Sequence, residues 1–421
     1  MSGTPPTHHT DWDAYEARQS GGPHASRYAP DPYAPLPLSS ALVPEYGSGS
    51  LADLLPTLAA GLGVPGFAPV VAELSPADRA CVFLVDGLGW EQLRAHPDEA
   101  PFLHSLLGTS RGGTGRPLTS GFPATTAASL ASVGTGTVPG QHGLLGYAVR
   151  NPATGALMNQ LRWQPWTDPT AWQPHPTVFR AADAAGVHTA QVSAPHFRET
   201  PLTKVALSGG TFHGRFTGEE RMDRAAEELA AGDRSLVYTY YSELDGAGHK
   251  YGTGSDTWRG QLMQVDRLVE RLAGQLPPRT ALYVTADHGM VDVPEDPESR
   301  VDYDEDWELG AGVALLGGEG RARHVYAHPG AAGDVLAVWR EVLGDRFWVA
   351  SREEALAAGW FGPPERCEER VRARIGDVVA APQGLSAIVA SETEPRETAL
   401  VGMHGSLTAA EQYVPLIEIR T

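Results

Sequence analysis

The chain has 421 residues, 42% of them hydrophobic, a formal net charge of −19 and two cysteines. That length suits one large α/β core carrying insertions. The acidic balance excludes bulk nucleic acid and an anionic membrane surface as partners, yet leaves open a small anionic substrate bound through a metal ion. Cys81 and Cys367 cannot build a disulfide framework, which points to a reducing compartment. No apolar run approaches the roughly 20 residues that a membrane span requires, so no membrane partner is expected.

Residues 1–38 are rich in Pro, His, Gly and Tyr without periodicity. They read as a disordered tail ahead of a catalytic domain over 39–421; His8 and His9 read as part of that solvated tail. The first twenty residues offer no basic segment, apolar segment or small-residue cleavage site, so the expected location is cytoplasmic. LADLLPTLAAGLG, from Leu51, predicts a helix on the main body. Strand and helix then alternate: CVFLVDGLG from Cys81, the helix-like WEQLRAH, a Thr-bearing segment GFPATTAASL with a small-residue helix after it, HTAQVSA, SLVYTYYSELD, the amphipathic DTWRGQLMQVDRLVERLAGQL, and TALYVTADHGM. Continuous apolar strands separated by helical patterns predict a mostly parallel central sheet covered by helices on both faces. Residues 150–177, with Trp163, Trp166 and Trp172, read as an irregular excursion near the site. Residues 293–400 carry an acidic turn region and the helix DVLAVWREVLG, and read as a smaller inserted subdomain.

Chemistry-bearing residues punctuate this pattern. Asp86, Asp245 and Asp287 each follow the C-terminal end of a predicted strand, where open α/β sheets place their ligand sites. His249 lies four residues after Asp245, on the same face if that segment is one helical turn. His288 adjoins Asp287, and His404 sits between glycines near the C-terminal end. Three Asp, three His and a Thr hydroxyl make an oxygen and nitrogen donor set that suits Zn²⁺ or Mn²⁺ better than a thiolate-seeking metal. Each residue also has a plain reading. Asp86 would serve as a helix N-cap, Asp245 and His249 as a surface pair, His404 as an exposed loop histidine, and either Thr125 or Thr126 as the cap of the following helix. Trp163, Trp166 and Tyr241 would stack on an aromatic substituent or simply fill the core.

The blocks have a family pattern. Phe122-Pro123, Thr126, Thr135-Gly136 and Pro139-Gly140-Gln141-His142-Gly143 resemble, without a gap, the nucleophile segment of the type I phosphodiesterase/nucleotide pyrophosphatase branch of the alkaline phosphatase superfamily. The offsets select Thr126 over Thr125. The resemblance covers about 78–292 and 400–416, and implies an alkaline phosphatase-like three-layer sandwich. It implies two divalent ions per chain, zinc by default and manganese as the alternative. Asp245, His249 and His404 would hold one; Asp86, Thr126, Asp287 and His288 the other. Thr126 would be the nucleophile of a phosphodiesterase acting on a small phosphate ester, nucleotides included, through a phospho-threonine intermediate. A phosphonate hydrolase or phosphomonoesterase with the same site is the alternative. His142 matches the pattern but is read as structural. Tyr147 stands where the nucleotide pyrophosphatases usually carry an Asn that holds a phosphoryl oxygen, which makes it a candidate substrate-binding residue. Between Arg116 and Arg150 the segment carries no Lys or Arg. This favours diesters over the more highly charged monoesters, with Lys250 as the nearest cation able to reverse that preference.

Overall fold

The computed structural model describes residues 41–72, 74–107 and 114–421; the expected tail at 1–38, with His8 and His9, lies outside them. Eleven of the seventeen strands among the described residues form the two larger sheets. They are β1 (Arg79–Val85), β2 (Thr114–Thr119), β3 (His188–Ser193), β4 (Thr211–Gly214), β5 (Ser235–Tyr241), β6 (Thr280–Thr285), β7 (Val313–Glu319), β8 (Ala322–Ala327), β9 (Phe347–Ser351), β10 (Val378–Pro382) and β11 (Tyr413–Arg420).

The main sheet has seven strands in the order β2-β11-β6-β1-β5-β3-β4. From β6 to β4 every pairing is parallel, and only β11 runs against its neighbours. β1, β5 and β6 are buried almost end to end, as strands covered on both faces must be. Burial of each Val, Leu or Phe side chain contributes about 1.5–3 kcal/mol, which is why these strands read as unbroken apolar runs.

The helices that matter for the site are α1 (Leu51–Gly61), α2 (Thr126–Thr135), α3 (Gly218–Ala230), α4 (Glu243–Tyr251), α5 (Asp256–Ala273) and α6 (Ala332–Leu343). α1 begins with a reciprocal capping box between Ser50 and Asp53 and keeps Pro56 inside the helix. α5 turns Trp258, Leu262, Val265, Leu268, Val269 and Leu272 inward, the spacing expected of an amphipathic helix on a sheet. α2 is buried on nearly every side; its small residues let neighbours approach, and a Cβ at Gly134 would fall 1.6 Å from the Ala206 carbonyl oxygen.

Within the 293–400 stretch, β7-β8-β10-β9 form a four-stranded antiparallel sheet. It has its own apolar cluster, which includes Leu309, Val325, Trp339 and Phe347. Both sheets belong to one compact unit. Among the described residues no helix is long and apolar enough to cross a membrane.

Candidate active site

The parallel order β6-β1-β5 brings three carboxylates to one end of three adjacent strands. Asp86 follows β1, and its N–H donates to the Tyr241 carbonyl at the end of β5, 2.9 Å away. Asp287 lies two residues beyond β6, and Asp245 lies in the first turn of α4. Gly87 permits the approach of β1 to α4. Its φ is +73°, and a Cβ there would meet Asp245 Cα at 3.1 Å, so only glycine fits both constraints.

Donor atoms fall into two groups of three, Asp86–Asp287–His288 and Asp245–His249–His404, with the atoms of each group within 4.8 Å of one another. The first group is fully buried and the second partly so. Each histidine presents the same nitrogen. Nδ1–H of His249 donates to the Gly402 carbonyl at 2.8 Å, that of His288 to Gly289 at 3.0 Å, and that of His404 to Ala124 at 2.8 Å. This fixes the tautomer and leaves three Nε2 lone pairs free. Those Nε2 atoms approach carboxylate oxygens: His288 to Asp86 Oδ1 at 3.4 Å, and His249 to Asp245 Oδ1 at 3.4 Å.

The carboxylates are anchored just as asymmetrically. Asp86 Oδ2 accepts from the Tyr240 hydroxyl. Asp287 Oδ1 accepts from the backbone N–H groups of Gly87 and His288, both at 3.1 Å. The remaining oxygens, Asp86 Oδ1, Asp287 Oδ2 and Asp245 Oδ1, are buried without a hydrogen-bond partner. Buried bare carboxylate oxygens facing bare imidazole nitrogens are costly unless a cation satisfies both. The residues present therefore fit divalent ions. Electrostatics point the same way. Burial, then Asp287 and Asp245, hold the Asp86 carboxyl well above the usual carboxylate range. Burial, then His288 and His249, hold His404 well below the usual imidazole value. A bound cation would reverse the Asp86 shift and favour the neutral His404.

Thr126 is the first residue of α2, and its Oγ1 lies 3.4 Å from His288 Nε2. Thr125 is the N-cap and is engaged elsewhere, donating its hydroxyl proton to Glu319 at 3.0 Å. The rest of the motif is scaffolding. Gly136, at φ +66°, closes α2. His142 is buried, accepts from Leu144 N–H at 3.1 Å through Nδ1, and bonds Ser132 Oγ at 3.0 Å through Nε2.

Two cavities meet at Thr126 and Asp245. One, of about 230 Å³, is walled by Leu130, Phe197, Leu202, Phe212 and Tyr240. The other, of about 380 Å³, is walled by Tyr147, Arg162, Glu319, Arg396 and Glu397 beside His249 and His404. Tyr147 lines it, but donates its phenol proton to Glu397 at 2.9 Å. Lys250 lines neither cavity and lies over the Tyr251 ring. None of Trp163, Trp166 or Tyr241 lines either of these two cavities. Trp163 packs on Trp172, Tyr241 is buried, and Trp166 is 71% exposed. Tyr240, Glu319, Arg162 and the Phe197–Phe212 wall were not singled out from sequence. Only Tyr240 carried a local signal, as a polar aromatic one residue from the end of an apolar strand leading to Asp245.

Comparisons with known proteins bear on the family and the fold. The profile of the family described as type I phosphodiesterase / nucleotide pyrophosphatase matches residues 80–407. Ectonucleotide pyrophosphatase/phosphodiesterase family member 7 of Homo sapiens is 36% identical over 119 residues, which is 23% of this chain and 26% of that protein. Its Mus musculus counterpart is 37% identical over 76 residues, 17% of each. The chain thus spans about a quarter or less of the curated relatives it matches. Murine ectonucleotide pyrophosphatase / phosphodiesterase 5, inactive and in complex with AMP, superposes with a TM-score of 0.63 at 19% identity, covering 80% of this chain and 87% of that one. Phosphonoacetate hydrolase from Sinorhizobium meliloti 1021, in complex with phosphonoformate, gives 0.61 at 23% identity, covering 81% and 90%. At these identities the two structures establish the fold, which is alkaline phosphatase-like.

Proposed function

The chain belongs to the type I phosphodiesterase/nucleotide pyrophosphatase family, and on that premise we propose that it hydrolyses phosphoric diesters at a two-metal centre through a phospho-threonine intermediate on Thr126. The observation that carries this reading is the Thr126 hydroxyl itself. It sits at the N-terminus of a buried helix, 3.4 Å from His288 Nε2, in a wall shared by two cavities. Zinc suits three imidazole nitrogens and three carboxylates without a thiolate, with manganese second. Two divalent ions held by Asp86, Asp287, His288 and by Asp245, His249, His404 would neutralise phosphoryl charge and lower the pKa of the Thr126 hydroxyl.

The chain's own residues do the rest. Thr126 Oγ1 attacks phosphorus in line as the ester oxygen departs on the opposite side, and water then attacks the phospho-threonine and restores the hydroxyl. Thr126 opens α2, and the N-terminus of a helix favours an anion. Tyr240, Gly87 N–H and the three Nδ1 anchors hold the ligand atoms in place, so that little reorganisation accompanies reaction. Of the two cavities, the apolar one suits an aryl, alkyl or base substituent of a small diester. The polar one, with two Arg and two Glu, suits the second substituent without adding net positive charge. The 293–400 stretch acts, on this reading, as a subdomain that brings Glu319, Arg396 and Glu397 to the site. A cytoplasmic location belongs to the same proposal, supported by two free thiols at Cys81 and Cys367.

Zinc-loaded protein assayed against diesters, monoesters, dinucleotides and phosphonates tests the reading, with acid quench and peptide mass spectrometry to locate bound phosphate. The expected result is diester turnover with label on Thr126. Label elsewhere would remove Thr126 from its role, and a dominant phosphonate activity would move the reaction to a C–P bond.

A further inference from the structure

The loop that carries His404 is fastened to the smaller sheet by an ion pair that neither candidate metal group uses. Arg321 lies in the turn between β7 and β8, and Glu411 lies downstream of His404. Both side chains are 0% exposed, and the guanidinium meets the carboxylate through two bonds, Nε to Oε1 and Nη2 to Oε2, each of 2.7 Å. A third donor, Nη1, goes to the Ser386 carbonyl. The same carboxylate gathers the loop: Ser406 N–H donates to Oε1 at 3.0 Å, and the Thr408 hydroxyl donates to Oε2. The loop in turn grips the nucleophile segment. Ala124 N–H donates to the Gly405 carbonyl at 3.0 Å, and the Ala124 carbonyl accepts from His404 Nδ1 at 2.8 Å. Gly405 lets the turn close on the loop, for its φ is +137° and a Cβ there would come within 3.3 Å of Ala322 Cβ and of the Arg321 carbonyl carbon.

Stability alone does not account for such a pair. Taking two charges out of water costs about what their attraction returns, so an apolar pair of similar volume would hold the fold as well. What the ion pair adds is direction, because a guanidinium fork and a carboxylate meet in one planar register. The other metal group needs no such clasp: Asp86 follows β1, and Asp287 with His288 closely follows β6, where the parallel ladders fix them. His404 follows only a two-residue ladder, Gly402–Met403 against Val291–Asp292. Resting on the assignment of His404 to a metal centre, we propose that Arg321 is a positioning residue. Through the Glu411 carboxylate it sets His404 Nε2 for the ion of Asp245, His249 and His404, and it makes affinity for that ion depend on the inserted subdomain.

The experiment compares full-length wild type, R321M/E411Q and R321K. It measures the Tm of the metal-free proteins and then the competition for zinc against a colorimetric chelator, with His404→Ala marking which affinity belongs to the His404 group. R321M/E411Q removes both charges at similar volume and keeps an acceptor for Ser406 N–H. Its metal-free Tm should stay within a few degrees of wild type. The His404 affinity should weaken by roughly tenfold or more, while the Asp86–Asp287–His288 affinity stays within about threefold. Glu411 also meets Gly289, beside that first group, but does so through its backbone carbonyl at 2.8 Å, which the substitution leaves. R321K keeps the charge without the fork, so it should show the same selective loss to a smaller degree, and it decides the matter if the double variant does not fold. A clasp that only stabilised the fold would lower Tm and leave both affinities unchanged or weaken them together. Either pattern, in whichever variant folds, overturns the proposal. Wild type that binds no zinc would remove the metal reading before any variant is compared, and the proposal with it.

Discussion

Replacing Tyr240 with Phe removes one oxygen atom from a buried wall and keeps the ring that packs against Tyr238 and Phe197. The lost hydroxyl donates the hydrogen bond to Asp86 Oδ2, and Asp86 is 4% exposed. A hydrogen bond to an ionised group contributes about 1.5–3 kcal/mol, which corresponds to roughly 10- to 150-fold in an equilibrium constant. Without it, the burial and like-charge repulsion that already raise the Asp86 carboxyl act with less opposition, and Asp86 becomes a poorer ligand. Competition against a colorimetric zinc chelator should therefore resolve two affinities. The one belonging to Asp86–Asp287–His288 should weaken by about 10- to 100-fold, the range seen when a partner of a metal ligand is removed. The other should stay within about threefold, because its histidines are anchored on the Gly402 and Ala124 carbonyls and not on Tyr240. Stoichiometry at saturating zinc should remain two, and excess zinc should restore most activity. Equal weakening of both affinities, or activity that zinc does not restore, would refute the idea that Tyr240 acts through Asp86.

Thr126→Ala should lose nearly all turnover while retaining fold and metal, whereas Thr125→Ala should lose far less, since Thr125 touches Glu319 rather than the metal groups; steady-state kinetics with metal analysis separates the two, and a dead Thr125→Ala beside an active Thr126→Ala would invert the assignment. Diesters should outrank monoesters in kcat/KM, because Lys250 lines neither cavity and the two cavity arginines share their cavity with two glutamates; a monoester preference of about tenfold, or ~1.4 kcal/mol, would show that Arg162 and Arg396 supply the extra charge. Acid stability should depend on His324, which is buried, donates through Nε2 to the Leu145 carbonyl at 2.9 Å and accepts through Nδ1 from Gly376 N–H at 3.1 Å. Burial lowers it to about 4, so its contribution is present above the unfolded value near 6.5 and is lost as pH falls from there through about 4, on the order of 3 kcal/mol in all. Tm measured across that window should fall more steeply for wild type than for His324→Gln, and parallel curves would count against it.

The parallel core was legible because its strands are buried on both faces and so read as unbroken apolar runs, and because the acids that matter follow those runs directly. β11 was harder to see. Its Pro415 interrupts the strand pattern and pairs opposite Pro117 of β2, and proline removes the donor by which an interior strand is usually recognised. The Thr126 segment could be placed because its offsets from Phe122-Pro123 to Thr135-Gly136 follow the family pattern; in the structure Thr125 takes the N-cap position without a side-chain cap, and Gly136 ends α2 in a left-handed turn. Nothing local marked Glu319. It reaches Thr125 across 194 positions of sequence from a strand of the other sheet, and its place in the cavity is a property of the packed molecule. The tryptophans near 163–172 misdirect for the same reason. Their side chains are conspicuous in sequence, but the cavity wall is made by Phe197 and Phe212, which come from the segments around β3 and β4.

The proposed reaction requires two ions at one nucleophile. Zinc-soaked crystals measured above and below the zinc absorption edge test that most directly. Two anomalous peaks are predicted, about 4 Å apart as in two-metal centres. One should lie within bonding distance of Asp86, Asp287 and His288, the other of Asp245, His249 and His404, with Thr126 Oγ1 against the first. A single peak at full occupancy, or two peaks of which neither touches Thr126, would contradict it.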